Sequence, residues 1–405
     1  MCPLLLTMLR NVLLCIWITV SIQFACGQGT GTIKVGQAEK PWPQAQIPNM
    51  SINFYVILFL CSEALEKKGL FRLSRPMKHG VIENHQDMTD IWEHMYNHVL
   101  NVPSKEYPVL LTEALDNPVR NRAAMAKTFF EAFDAPALFF APPPVLALYA
   151  SGRLTGCVLD SGHGITQCVP IYDGFALPHA VSRMEVAGGD VDKYFEYLIR
   201  KFSGVTFHTS SELELVRELK EQYCELMDTK NNRNALPSLA GRSLNQRNEE
   251  EGNSIEVKLP DGKTLNLGNA RFRAPEVLFE PSLIGLEYRG IHYCVLDSIA
   301  KADLELRRNL YQQILLSGGS TMTKEFGKRL LAELKLNCGL KNPKFKIFAP
   351  VKREKCGSPR KSTMTPEIAF CTKRAFSEKI KEALKVICCL WQSQAQVSFL
   401  MNCVL

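Results

Sequence analysis

The segment Thr155-Gly156-Cys157-Val158-Leu159, followed by Asp160-Ser161-Gly162-His163-Gly164 and then Ile165-Thr166-Gln167-Cys168-Val169-Pro170-Ile171, decides how the rest of the chain is read. An apolar run enters a glycine-rich bend, and a second apolar run leaves it. In the exit limb Ile165, Gln167, Val169 and Ile171 share one face, with Thr166 and Cys168 on the other, as a period of two requires of a strand. The same order occurs earlier: Ile18–Ala25, then Gly27-Gln28-Gly29-Thr30-Gly31, then Thr32-Ile33-Lys34-Val35. Two strand–bend–strand units far apart in one chain predict a duplicated α/β fold with a cleft between the halves.

Helical patterns fill much of the remainder. Leu213, Val216, Leu219 and Tyr223 recur at helical spacing over 212–227. Leu330, Leu331 and Leu334 mark a helix over 326–336, with Thr321 or Thr323 as candidate N-caps. Phe376, Ile380, Leu384, Ile387 and Trp391 form a stripe over 373–391. Residues 230–254 are polar and read as a solvated excursion. Leu259-Pro260-Asp261-Gly262-Lys263 reads as the turn of a strand pair.

Length and composition set the bounds. The chain has 405 residues, 46% apolar and 22% charged, enough for a sizeable core in one large or two ordinary domains. Its formal net charge of +7 is spread along the chain, with no basic run interleaved with aromatics, so nucleic acid is not an expected partner. The 14 cysteines include no CxxC and no zinc spacing, which fits reduced thiols in the cytosol. The first 26 residues are very apolar and read either as a secretory signal or as a buried first strand with an atypical start at 1–17. Arg10 and Gln23 interrupt them, so no stable membrane insertion is expected.

The glycine bends are candidate phosphate cradles, because glycine lets successive backbone N–H groups approach an anion. They are equally candidates for tight structural turns. No Walker sequence and no GxGxxG occurs. Asp160 either holds Mg²⁺ through water or caps the turn. Arg217, Lys220 and Glu221, at i, i+3 and i+4, either grip a base or ribose or form a solvated helix face. Ser317-Gly318-Gly319-Ser320-Thr321, between the apolar run Ile314–Leu316 and a helix, offers either a ligand approach or a tight junction.

Several stretches together resemble the actin family. They are Pro108-Val109-Leu110-Leu111-Thr112-Glu113-Ala114, Leu148-Tyr149-Ala150-Ser151-Gly152-Arg153, Asp160-Ser161-Gly162, Val169-Pro170-Ile171-Tyr172 and Leu315–Thr321. Arg271-Phe272-Arg273-Ala274-Pro275-Glu276, Leu306-Arg307-Arg308 and Phe326-Gly327-Lys328-Arg329-Leu330-Leu331 are more similar to its centractin branch. The similarity runs from about Ser62 to Pro350, with a weaker patch at Gly29–Gly36. The resemblance implies an actin-like ATPase fold of the α/β class, with duplicated ribonuclease-H-like domains and four subdomains around an ATP–Mg²⁺ cleft. It divides the chain into a small domain at 1–150 (subdomain 2 at about 40–75), a large domain at 151–350 (subdomain 4 at about 187–286) and a divergent segment at 351–405. It also implies ATP or ADP with Mg²⁺ as cofactors, self-association or actin-like filament partners, dynactin components for the centractin branch, and a cytoplasmic, cytoskeletal location.

Carried over position by position, the resemblance gives Gly29, Thr30, Gly31 and Lys34 to the first phosphate hairpin. Asp160, Ser161, Gly162 and Gly164 belong to the second, with Asp160 on the metal side. Gly188, Arg217, Lys220, Glu221, Gly318, Gly319, Ser320 and Met322 fall to the nucleoside pocket. Four positions depart from the pattern. Gly27 stands where the family has Asp, His163 replaces a second Asp, Gln167 replaces His, and Pro143 replaces the Gln that positions the attacking water. An orienting or proton-accepting group contributes roughly 10²–10⁴-fold to such a reaction. At most a slow ATPase is therefore expected, or an interaction module that neither binds nor hydrolyses ATP.

Overall fold

The computed structural model describes residues 35–37, 59–60, 72–100, 102–107, 109–226, 255–339 and 344–349. The first glycine bend, the apolar start, the excursion at 230–254 and the expected helix at 373–391 lie outside the described residues.

The first lobe opens with an antiparallel sheet. β1 (Val35–Gln37) lies between β2 (Phe59–Leu60) and β3 (Arg72–Ser74), with Gly36 opposite both Phe59 and Leu73. β4 (Met77–Lys78) and β5 (Val81–Ile82) form a hairpin turned by His79 and Gly80, both at positive φ (47° and 76°). α1 (His85–His94) starts where the Asn84 side chain accepts from the amides of Gln86 and Asp87. β6 (Val109–Thr112), α2 (Val119–Lys127) and β7 (Leu138–Ala141) form a parallel crossover, Leu110 opposite Phe139. Ile91, Trp92, Met95, Leu111 and Phe129 make this lobe's core, with the Trp92 and Phe129 rings 4.7 Å apart.

α3 (Pro143–Ala150) begins on proline, whose missing N–H costs nothing in a first helical turn. It packs Val145 and Leu148 onto the sheet of the second lobe, against Val158, Val169 and Leu315.

That sheet is built on β8 (Gly156–Ser161) and β9 (Thr166–Tyr172), paired antiparallel with Val158 opposite Val169 and Asp160 opposite Gln167. β10 (Phe175–Ala176) and β11 (Ser182–Met184) both pair with β9. α4 (Gly188–Ser203) turns Val191, Phe195, Leu198 and Ile199 inward at helical spacing and stops at Gly204, φ 68°. α5 (Ser210–Tyr223) carries a capping box between Thr209 and Glu212. β12 (Glu256–Lys258) and β13 (Thr264–Asn266) pair across the expected Pro-Asp-Gly turn, with Gly262 at φ 84°. There follow α6 (Ala270–Arg273), α7 (Ile291–Lys301) and α8 (Leu304–Tyr311). β14 (Ile314–Ser317) lies parallel to β8, Ser317 opposite Asp160, and is followed by α9 (Phe326–Asn337) and β15 (Ile347–Phe348). The order is β10-β9-β8-β14-β15. Cys157, Val158 and Leu159 are fully buried, because helices cover one face of β8 and α3 the other. Among the described residues no helix is long and apolar enough to cross a membrane.

Three local expectations are corrected. Asp160 and Ser161 belong to β8 rather than to the bend, paired with Gln167 and Thr166 of β9. The 212–227 helix spans Ser210–Tyr223, because Glu225 and Leu226 leave it to bond Arg271 and Lys324 backbone carbonyls. The hydroxyls of Thr321 and Thr323 bond the carbonyls of Gly318 and Ser320, so neither caps α9; its N-cap is Glu325 at φ 65°.

Candidate functional site

The bend between β8 and β9 closes with the Gly162 amide on the Ile165 carbonyl at 3.0 Å. Inside it, Ser161 Oγ and Thr166 Oγ1 meet at 2.8 Å, and Thr166 donates to the Val186 carbonyl at 2.7 Å. The Gly162 carbonyl then gathers two distant elements. It accepts from the amide of Gly188, the first residue of α4, at 3.0 Å and from Ser320 Oγ at 2.8 Å. Lys220 on α5 donates to the Gly188 carbonyl at 3.1 Å. A Cβ on Gly188 would stand 2.9 Å from Ser320 Oγ. At the end of β14 the fit is tighter still. Gly318 has φ 86° and ψ 155°, a region only glycine occupies, and a Cβ there would lie 2.1 Å from the Ser161 carbonyl oxygen. Gly319, Ser320 and Met322 form the 3₁₀ turn that follows, with Met322 exposed.

The first lobe meets this bend through two elements. His79, at the tip of the β4–β5 hairpin, places Nδ1 2.8 Å from the Gly164 carbonyl, and its own carbonyl accepts from Arg183 at 3.1 Å. A Cβ on Gly164 would lie 3.1 Å from the His79 backbone nitrogen, so glycine is what allows the approach. Arg75, just past β3, donates to His163 Nε2 and to Glu214 Oε2 on α5 at 3.4 Å. Behind it, Asp192 on α4 lies 3.6 Å from His163 Nδ1 and 2.7 Å from Lys220 Nζ. Burial raises the Asp192 carboxyl above its usual range, against the pull of Lys220. Burial also lowers the Arg75 guanidinium, with Glu214 opposing. Arg75, His79, His163, Gly164, Asp192 and Glu214 border a groove of about 410 Å³ between the lobes.

Most expected site residues come together here. Asp160, Ser161, Gly162, Gly164, Gly188, Lys220, Gly318, Gly319 and Ser320 gather around one bend. Arg217 lies one turn from Lys220 and bonds Glu221 at 3.0 Å and Glu214 at 3.4 Å. Gly29, Thr30, Gly31 and Lys34 lie outside the described residues. Of the departed positions, Pro143 is the buried first residue of α3, Gln167 is buried opposite Asp160, and His163 stands in the bend itself. Arg75, His79, Arg183, Asp192 and Glu214 were not expected. Glu214 at i−3 from Arg217 carried a local signal; the other four are joined to the bend only by tertiary contact.

Among the described residues, the carboxylates nearest the bend are already engaged by the protein: Asp160 by Gln167 and Ser317, Asp192 by Lys220, and Glu214 by Arg75 and Arg217. A hard cation needs oxygen ligands, most of them water or carboxylate. Asp160 stands near the end of β8 where the bend begins; burial raises its pKa, opposed by its hydrogen bonds to Gln167 and Ser317. The next polar side chain is an imidazole bonded to a guanidinium. Among the described residues no three His, Cys, Asp or Glu side chains are grouped to hold a metal ion.

The chain matches the family model described as Actin over residues 25–358. It is 42% identical over 337 residues to a Neurospora crassa protein named actin-like protein, an alignment covering 80% of this chain and 86% of that one. Both the lobed α/β architecture and these similarities lead to one assignment: the chain belongs to the actin family and has its fold.

Proposed function

We propose that the chain is a cytoskeletal actin-related subunit that holds ATP or ADP in the cleft between its lobes and assembles with like subunits in the cytoplasm. The observation that carries this reading is the convergence of Gly162, Gly188, Lys220 and Ser320, from four separated segments, within hydrogen-bonding distance of one another. Arg217 and Glu221 extend the same α5 face toward a nucleoside, and Gly29, Thr30, Gly31 and Lys34 supply the opposing phosphate hairpin. On this reading the division into subdomains follows the family, with subdomain 2 at about 40–75 and subdomain 4 at about 187–286. The motifs shared with the centractin branch favour short filaments and dynactin components as partners. Pro143, His163 and Gln167 replace polar groups that serve hydrolysis, so turnover is slow or absent.

A second reading is supported by the same hydrogen bonds. The donors Lys220 Nζ and Ser320 Oγ are already taken up by the Gly188 and Gly162 carbonyls, as they would be in an interaction module that takes no nucleotide. Calorimetric titration with ATP separates the two: heat of binding supports the first, and its absence the second. Pelleting with and without nucleotide then tests assembly.

A further inference from the structure

Two histidines stand where the lobes meet, and acid acts on them differently. His79, on the first-lobe hairpin, faces the Gly164 carbonyl with Nδ1 at 2.8 Å. A carbonyl can only accept, so Nδ1 carries the ring proton, and a second proton on Nε2 leaves this bond intact. His163, in the second-lobe bend, faces Arg75 with Nε2. A guanidinium can only donate, so here Nε2 is the bare nitrogen and the ring proton sits on Nδ1, toward Asp192 Oδ2 at 3.6 Å. A second proton can enter only at Nε2, where Arg75 already is. We infer that Arg75 and His163 form a pH-operated latch between the lobes: neutral His163 accepts from Arg75, and protonated His163 releases it.

The surroundings hold the ring in place for this. Its side chain is 16% exposed, and a Cβ on Gly189 would lie 3.1 Å from Nε2, so the α4 backbone lies against it. Charged groups share the groove from both lobes. Arg75 follows β3, Lys78 and His79 belong to the β4–β5 hairpin and Glu83 follows it; Asp190, Asp192, Lys193 and Glu196 come from α4, and Glu214 from α5. Lys78 pairs with Glu83 at 3.9 Å, Lys193 with Asp190 at 3.2 Å, Lys220 with Asp192 at 2.7 Å and Arg217 with Glu214 at 3.4 Å. Asp192 favours a charged ring, while Arg75 and the lysine on Asp192 oppose it. The latch is therefore closed above the titration of His163 and opens as pH falls through it. Arg75 keeps Glu214 at 3.4 Å when His163 lets go, so acid loosens the junction without parting the lobes.

The test compares the full-length protein with His163→Gln, whose side-chain oxygen accepts from Arg75 at any pH. Hydrogen exchange is followed by mass spectrometry at about pH 7.5 and about pH 5.5, either side of an ordinary histidine's titration, and corrected for the intrinsic exchange rate. Peptides covering 72–82 and 160–166 should lose protection about threefold or more in acid in the unaltered protein and keep it in His163→Gln. Protection retained in the unaltered protein, or lost equally in both, overturns the latch. So does a loss shared by β14, which would report loosening of the whole second lobe. Ring-nitrogen spectra of the unaltered protein decide the matter without relying on how a variant folds: a proton on His163 Nδ1 at neutral pH supports the latch, and one on Nε2 overturns it. In Arg75→Met the ring, no longer facing a guanidinium, should titrate about one pH unit higher. An unchanged midpoint would show that the proton and Arg75 do not compete, and overturns it as well.

Discussion

The two sides of the cleft bend differ in what holds their residues in place. On the side of Gly188, Gly318 and Ser320, identity is dictated by backbone packing: two strands and a helix terminus meet where a single added carbon would collide. At His163 and Gln167 the side chains instead bond polar neighbours, His163 with Arg75 and Gln167 with Asp160, while Pro143 is buried at the start of α3. The glycines therefore survive as a condition of folding, whatever the cleft binds. Likeness in the glycines is therefore a statement about fold, and likeness in the polar positions would be a statement about chemistry.

The largest effect expected from breaking the packed side is that of Gly318→Ala. Its Cβ would meet the Ser161 carbonyl oxygen at 2.1 Å in a backbone region closed to other residues. A loss of about 4 kcal/mol or more is expected, read by denaturant unfolding or as failure to accumulate soluble protein. A normal melting temperature would show that β8 and β14 can part at little cost, and the packed side would no longer be distinct. Next comes Arg329, which anchors α9 behind the Gly318 junction. It is buried, bonds Glu276 at 3.0 Å and Glu333 at 2.9 Å, and sits over the Phe279 ring. Arg329→Met leaves Glu276 buried beside an apolar chain and should cost about 3 kcal/mol.

The same foundation is sensitive to acid. His292 on α7 is buried and stacked 6.2 Å from Phe279. Burial lowers its pKa to about 4; Glu333 pulls it up, while Arg329 and Arg289 push it down. The unfolded chain, with an ordinary histidine pKa near 6.5, binds more protons than the folded one between those values. Stability should therefore fall as pH drops through this window, by about 2 kcal/mol at pH 5. His292→Phe should flatten that slope in unfolding curves taken from pH 7 to pH 5. An unchanged slope would place the acid sensitivity elsewhere.

How much of this was legible in the sequence follows from the same distinction. The β8–β9 hairpin, β14 and its Gly-Gly junction, the Pro-Asp-Gly turn and the start of α9 at Phe326 are written in local pattern, and each forms. The early end of α5 is not, because Leu226 continues the apolar spacing while Glu225 is drawn away by Arg271 at 2.6 Å and by the Lys324 strand contact. Leu213 fits the helical stripe and is nonetheless 42% exposed, since that face of α5 borders the groove. The Arg75 contacts join residues 88 and 139 positions apart, a separation at which no spacing rule operates. The site's glycines could be found from sequence because turns are local. Its charges could not, because ion pairs across a cleft are decided by how the lobes meet.

The smallest effect belongs to Pro143→Gln, and it probes the other side directly. Pro143 is the first residue of α3, where the backbone N–H has no partner within the helix, so restoring that N–H breaks no hydrogen bond. What is lost is the ring's packing and its restriction of the unfolded chain, together under about 1 kcal/mol. A melting curve should shift by a few degrees or less. Phosphate release should rise less than tenfold, because His163 and Gln167 still occupy the other departed positions and a lone orienting group has no second partner to act with. A larger rise would mean that one side chain separates this cleft from an active ATPase. A loss of stability well beyond 1 kcal/mol would mean that Pro143 is as tightly dictated by packing as Gly318, and the contrast between the two sides would fail at this residue.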